Sequence, residues 1–148
     1  MNLKKALNKQ AVCLHLKSNT KDEAIEELVE ILDGSGVLKD KKAVLQAVRD
    51  RERKLSTGMQ NGIAIPHGKT DTVNSLVAAV GLRPEGIDFE AIDDRPCTIF
   101  ILTVSPANRT GPHVQFLAEI SRLLNNESVR QSLLTAESEE DVIHLLTG

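Results

Sequence analysis

The sequence predicts an α/β fold in which amphipathic helices cover a mostly buried sheet. Three observations carry that prediction. Strand-like apolar runs alternate along the chain with segments of helical periodicity. Two of the runs, 76–83 (LVAAVGLR) and 97–105 (CTIFILTVS), are nearly continuous in apolar residues, as buried strands are. The 148 residues are 41% hydrophobic and 26% charged, with no internal repeat, low-complexity tract or Pro/Gly/Ser linker, which is the profile of one domain over residues 1–148.

In chain order, residues 11–16 (AVCLHL) alternate. That predicts a strand with Val12, Leu14 and Leu16 on one face and Cys13 and His15 on the other. Thr20-Lys21-Asp22-Glu23 reads as a capping box, with Thr20 capping a helix and Glu23 reaching back to it. The helix carries Ala24, Ile25, Leu28, Val29 and Leu32 at 3.6-residue spacing, and Gly34 and Gly36 end it. A second helix starts near Asp40 and runs to about Lys54. A turn-rich stretch, 56–62, leads into the short run Ile63-Ala64-Ile65, which ends in Pro66-His67-Gly68. After the two buried strands, Gly111-Pro112 opens a helix to about Leu124, with proline in the favoured first turn. Helices near 127–135 and 139–147 close the chain. Ser138 caps the last, and Glu139, Glu140 and Asp141 suit its positive end.

Composition excludes several classes. Eighteen Lys and Arg against 21 Asp and Glu give a net charge of −3, the wrong sign for a nucleic-acid binder. There is no Trp or Tyr and only three Phe, too few for a base-stacking platform. No apolar run reaches the roughly 20 residues of a membrane span. Lys4 and Lys5 are followed by Ala6-Leu7-Asn8-Lys9-Gln10, which is no apolar signal-peptide region, so a cytoplasmic protein is expected. Cys13 and Cys97 sit in apolar stretches and read as packed, reduced thiols. Gly62 to Thr70 resembles a phosphate-cradling P-loop, but has five residues between its glycines instead of four, and those five read as strand.

Three residues stand out as candidates for chemistry. His67 follows a strand behind Pro66, which holds Ile65 extended, and the carboxyl ends of strands are where open α/β folds bind ligands. The bland alternative, a turn histidine without a role, weighs about equally at this point. Arg51 falls on the helical stripe Val44, Val48, Arg51, Leu55, where an apolar residue is expected. It is either a snorkelling or ion-paired side chain or a guanidinium aimed at an anion. His113 leads the stripe His113, Leu117, Ile120, Leu124 and so faces inward in a first helical turn. Alone it reads best as a core histidine. His15 and His144 read as surface residues. Together, two inward histidines and an arginine are the parts of phosphohistidine chemistry: a neutral imidazole nucleophile, with cationic and amide donors for the phosphoryl oxygens. A metal-dependent hydrolase on His67 and His113 lacks a third ligand at usable spacing. No metal and no cofactor is expected.

Ser56-Thr57-Gly58-Met59-Gln60-Asn61-Gly62-Ile63-Ala64-Ile65-Pro66-His67-Gly68-Lys69 resembles the signature of the fructose/mannitol/nitrogen-type IIA domains of the bacterial phosphoenolpyruvate-dependent phosphotransferase system. The resemblance covers nearly the whole chain, with Arg51-Glu52, Ile87 to Pro96 and Gly111-Pro112-His113-Val114-Gln115 also similar. It implies a mixed sheet of about five strands with helices on both faces. It implies that His67 is phosphorylated, that Arg51 stabilises the phosphoryl group and that His113 orients His67 or contacts the phosphate. The implied donor is HPr or its nitrogen-branch paralogue, and the implied recipient is a IIB domain or a regulatory target, with no nucleic acid and no membrane insertion. The wording of the motif is most similar to the nitrogen-regulatory branch. A fructose/mannitol transport component and a regulatory module that is not phosphorylated are the alternatives.

Overall fold

A computed structural model describes residues 3–147, so residues 1, 2 and 148 of the expected domain lie outside the described residues. The chain folds as a single α/β unit. Five strands, β1 (Val12–Cys13), β2 (Ile63–Ala64), β3 (His67–Thr70), β4 (Val77–Ile87) and β5 (Cys97–Pro106), form one sheet. Its order is β1-β4-β5-β2, with β3 also on β5. The β4–β5 pair is antiparallel and the other pairs are parallel, so the sheet is mixed.

The long strand β5 shows why helices are needed on both faces. Phe100, Leu102 and Val104 join the core under α2 (Lys21–Gly34) and α3 (Lys41–Lys54). The alternate residues Ile99 and Ile101 join a second core with α4 (Gly111–Leu124), α5 (Glu127–Leu134) and α6 (Glu139–Thr147). A short α1 (Leu3–Ala6) precedes a 3-10 turn at Lys9–Ala11. Alternation along a doubly buried strand thus feeds two cores from one run of sequence.

Two local expectations change. The first strand pairs only over Val12–Cys13. The chain bends at Leu14 and His15, so Leu16 joins the α2/α3 core while Val12 stays in the other. Gly81 opposite makes room for it, since a Cβ there would lie 2.8 Å from the Leu16 side chain. At the start of α2, Thr20 accepts from the Glu23 N–H as expected, but Glu23 accepts from the N–H of Asn19, one residue outside the capping-box position.

The third correction concerns the functional edge. The strand before His67 does not end at Pro66-His67-Gly68. β2 and β3 run along β5 in one register, Ile63 opposite Ile99 and His67 opposite Thr103. They are one edge strand interrupted where Pro66 has no N–H to give. The N–H groups of Ile99, Thr103 and Ala107 donate to the carbonyls of Gly62, Pro66 and Thr70, so even-numbered carbonyls face β5. Odd-numbered groups face outward, where the 56–59 segment covers them: Met59 N–H donates to Ile63, and Ile65 N–H donates to Thr57.

Gly68 sets the distance between this edge and α3. A Cβ on it would lie 2.9 Å from the Val48 nitrogen and 3.0 Å from the Ala47 carbonyl carbon, both backbone atoms. Gly68→Ala is therefore expected to push α3 off the sheet and cost about 1–3 kcal/mol, the usual penalty of overpacking. The urea midpoint measures it; an unchanged midpoint would mean that α3 yields without cost.

Candidate functional site

With Gly68 turned toward α3, strand alternation turns His67 and Lys69 to the opposite face, toward α4. His67 is half-buried, and its Nδ1 lies 2.9 Å from the Ile65 carbonyl oxygen. A carbonyl only accepts, so Nδ1 carries the ring proton and Nε2 keeps its lone pair. The register makes this bond available: Ile65 is an odd-numbered residue whose carbonyl points away from β5. Burial is the main cause holding the His67 pKa below the ordinary imidazole value. The hydrogen bond to Ile65 opposes that shift, and the Arg51 charge adds to it.

His113 comes to the same place from α4. The buried stripe of that helix is His113, Phe116, Ile120 and Leu124. Its ring centroid is 4.9 Å from that of His67, with the planes tilted by 43°. His113 is 6% exposed and its pKa is lowered to about 4, by burial first and then by the positive charges of His67, Lys69 and Arg51. Both imidazoles are thus neutral at physiological pH. No side chain caps the start of α4, so N–H groups of its first turn remain as donors beside the pair. Lys69 reaches across the same edge, 3.5 Å from Thr110 Oγ1.

Arg51 is near the pair but not as the stripe predicts. The inward residues of α3 are Val44, Val48 and Glu52, spaced by four. Leu55 has left the helix in an extended conformation and is 71% exposed. Arg51 lies about 100° round from Glu52. It donates from Nη1 to the Leu55 carbonyl at 2.8 Å, capping the end of its own helix. Its charge still lowers the pKa of both histidines, so all three candidate residues share one electrostatic neighbourhood.

The inward residue that sequence reading missed is Glu52. It is 7% exposed and accepts from Thr57 N–H at 2.7 Å, from Thr57 Oγ1–H at 2.5 Å, and from Lys21 Nζ at 3.0 Å. The i, i+4, i+8 spacing from Val44 through Val48 was the available signal. Gly58 follows in the same segment because a Cβ there would meet Ala91 Cα at 2.8 Å and the Phe89 carbonyl oxygen at 2.9 Å. These contacts hold the 56–59 segment over the outward edge of β2. Among the described residues, no group of three His, Cys, Asp or Glu side chains is placed to hold a metal ion.

The depressed histidines make stability pH-dependent with a definite sign. The unfolded chain binds a proton on His113 near the ordinary value of 6.5, the folded chain only near 4. The contribution is therefore complete above 6.5 and is lost progressively as pH falls through the window down to about 4. His67 acts in the same direction. Urea unfolding across that window should show stability falling with pH, and His113→Gln should flatten the slope. An equal slope in the variant would place the proton uptake elsewhere.

Comparison with known proteins gives a consistent picture. The family profile described as "Phosphoenolpyruvate-dependent sugar phosphotransferase system, EIIA 2" matches residues 5–148. The fructose-specific EIIA component of Haloferax volcanii is 41% identical over 86% of this chain and 82% of its own. The fructose-specific EIIABC component of Bacillus subtilis is 35% identical over 99% of this chain, which spans only 23% of that longer protein. Among solved structures, the nitrogen regulatory protein IIA-Ntr of Neisseria meningitidis superposes with a TM-score of 0.90 at 29% identity, covering 97% of each chain. The mannitol enzyme IIA of Escherichia coli, in complex with phosphorylated enzyme IIB, superposes at 0.80 and 29% identity over 95% and 96% of the two chains.

Proposed function

The chain belongs to the EIIA type 2 family of the phosphoenolpyruvate-dependent sugar phosphotransferase system, whose members transfer phosphoryl groups, and on that footing we propose that His67 Nε2 is the atom that carries the phosphoryl group here. The observation that carries this reading is the bond from His67 Nδ1–H to the Ile65 carbonyl, which commits Nδ1 and leaves Nε2 as the nucleophile.

Transfer then balances as one exchange of P–N bonds. The Nε2 lone pair attacks the phosphorus of a phosphohistidine on the donor, HPr or its nitrogen-branch paralogue. The new Nε2–P bond forms as the donor's P–N bond breaks, and that electron pair returns to the donor imidazole. His67 keeps its Nδ1 proton throughout, and the Ile65 carbonyl dipole stabilises the positive charge that develops on the ring. The phosphoryl oxygens meet Arg51, His113 and the first-turn amides of α4. Incubation with phosphoenolpyruvate, enzyme I and HPr should add one phosphoryl mass, lost in mild acid. His67→Ala should gain none while its circular dichroism is unchanged. Labelling of the variant at the wild-type level would reject His67, and an unlabelled wild type would leave a binding module.

Partners of such a site are proteins. Of the five exposed large apolar residues among the described residues, Leu55 and Val114 lie close in sequence to Arg51 and His113, and Met59 and Ile92 line a cavity with Ile65, two residues before His67. Val37 is the exception. The onward partner in the transport reading is a IIB domain, as in the mannitol complex. The nitrogen-regulatory reading draws on the motif and on the TM-score of 0.90. The fructose reading draws on the higher identities, 41% and 35%. Phosphoryl passage to a fructose-type IIB domain favours transport; retention of the phosphoryl group in its presence favours regulation.

Arg51 supplies a planar guanidinium whose Nη1 holds the Leu55 carbonyl and whose charge is felt at both histidines. Arg51→Lys keeps the charge but loses the fork. It should slow uptake from phospho-HPr by roughly ten- to a thousandfold, the range for one preorganised donor. Wild-type rates in both Arg51→Lys and Arg51→Gln would reduce Arg51 to a helix cap.

A further inference from the structure

Among the described residues, four buried side-chain polar atoms have no hydrogen-bond partner: Arg83 Nε, Thr103 Oγ1, Ser105 Oγ and His113 Nδ1. Three of the four lie in the layer between β5 and α4. Thr103 and Ser105 alternate with Leu102 and Val104, which belong to the α2/α3 core, so their hydroxyls point to the α4 face. Thr103 is opposite His67 in parallel register, and both side chains stand on that face. Thr103 and Ser105 are wholly buried. An unpaired hydroxyl in such a place costs free energy without returning any, and native proteins keep few.

We infer that Thr103 is a positioning residue of the phosphoryl-transfer site: its hydroxyl and His113 Nδ1, both unpaired in this structure, close on each other when the phosphoryl group reaches His67, the threonine donating and so holding the His113 ring proton on Nε2. This rests on the reading of His67 and His113 given above. Hydrogen accounting selects the direction. A neutral imidazole has one N–H and one lone pair. If His113 Nδ1–H donated to Thr103, the threonine hydrogen would remain buried and unpaired. If Thr103 O–H donates to Nδ1, each buried hydrogen is used, and the remaining proton on Nε2 is free for the phosphoryl oxygens on His67. Catalytic hydrogen bonds of this kind tighten when the reacting group arrives. Thr103 is chosen over Ser105 because it is the residue in register with His67, whose ring lies 4.9 Å from that of His113.

Thr103→Val is the test, because it removes only the hydroxyl and suits a buried strand. Imidazole nitrogen NMR is read on the unphosphorylated and the phosphorylated protein. In the wild type, phosphorylation should leave His113 in a single tautomer protonated on Nε2, and in Thr103→Val a mixture. Uptake from phospho-HPr should fall roughly ten- to a hundredfold in kcat with KM little changed, on the scale of one positioned proton-handling group. Thr103→Ser should restore most of the rate. In a His113→Ala background, Thr103→Val should have no further effect, since the two act as one unit. An unchanged His113 spectrum, a full additional loss in the His113→Ala background, or the same effects from Ser105→Ala in place of Thr103→Val would overturn the assignment. The two readings fail separately: a wild type that takes up no phosphoryl group refutes the function, and a normal rate or an unaltered His113 spectrum in Thr103→Val, with the wild type labelled, refutes only the positioning role.

Discussion

The constraint from which the site follows is the register of one edge strand on both sides of a proline. From Ile63 to Thr70 the chain keeps the same alignment with β5, although Pro66 cannot contribute its N–H to the ladder. Sacrificing that bond keeps the edge rigid where a bulge would have let it turn. Because the register is unbroken, the direction of every carbonyl and side chain along the edge is set. Even-numbered carbonyls bind β5, and the Ile65 carbonyl turns outward to fix the His67 tautomer. His67 and Lys69 face α4, and Gly68 faces α3. A slip of one residue would exchange those faces and bury a lysine against Val48.

The same geometry decides the electrostatics. Two imidazoles 4.9 Å apart, one inside a helix N-terminal turn and both near Arg51 and Lys69, cannot hold protons readily. Desolvation is the larger cause at each ring, and the cations reinforce it. The result is a pair of neutral rings in a positive surround. An anionic group arriving at Nε2 meets cationic and amide donors already in place, and their orientation need not be reorganised. An electropositive pocket that depresses histidine pKa values is the same pocket that favours a phosphoryl group.

How much of this the sequence shows differs by level. Helices α2 to α6 and the strands β4 and β5 are legible because each is long and its periodicity clear, as at Leu28 and Leu32 or Ile99 to Leu102. His113 is legible for the same reason: its stripe ends on it. His67 stands out in the sequence by its place behind Pro66 and then by the motif, yet its setting is not legible, since a two-residue strand, a proline and a four-residue strand look like a strand followed by a turn. Only the pairing with β5 reveals one continuous edge. The sequence pattern puts Arg51 on the inward stripe because Leu55 looks helical and apolar, whereas the helix has ended there and its inward row passes through Glu52. The Ile65 carbonyl and the Thr103 hydroxyl depend on register, which no local pattern encodes.

Glu52 completes the account of why Arg51 can serve an anion at all. A carboxylate beside the arginine could be expected to bind it and to repel a phosphoryl group. Helical geometry prevents this by turning the two side chains about 100° apart. Glu52 is instead taken up by Lys21, 3.0 Å away, and by both donors of Thr57. Lys21 also reaches Glu90 at 2.9 Å and lies over the Phe89 ring at 5.0 Å, so the buried negative charge is neutralised on the side of the molecule away from the histidines. The weak remnant of its field raises the proton affinity of His67, but ranks below burial and Arg51 among the influences on that ring. The acidic neighbour is therefore structural: it ties the end of α3 to the segment that covers β2, and among the described residues it leaves the guanidinium next to it without a carboxylate counter-ion. A buried carboxylate paired in this way holds position without adding much net stability, and position is what the arginine requires of it.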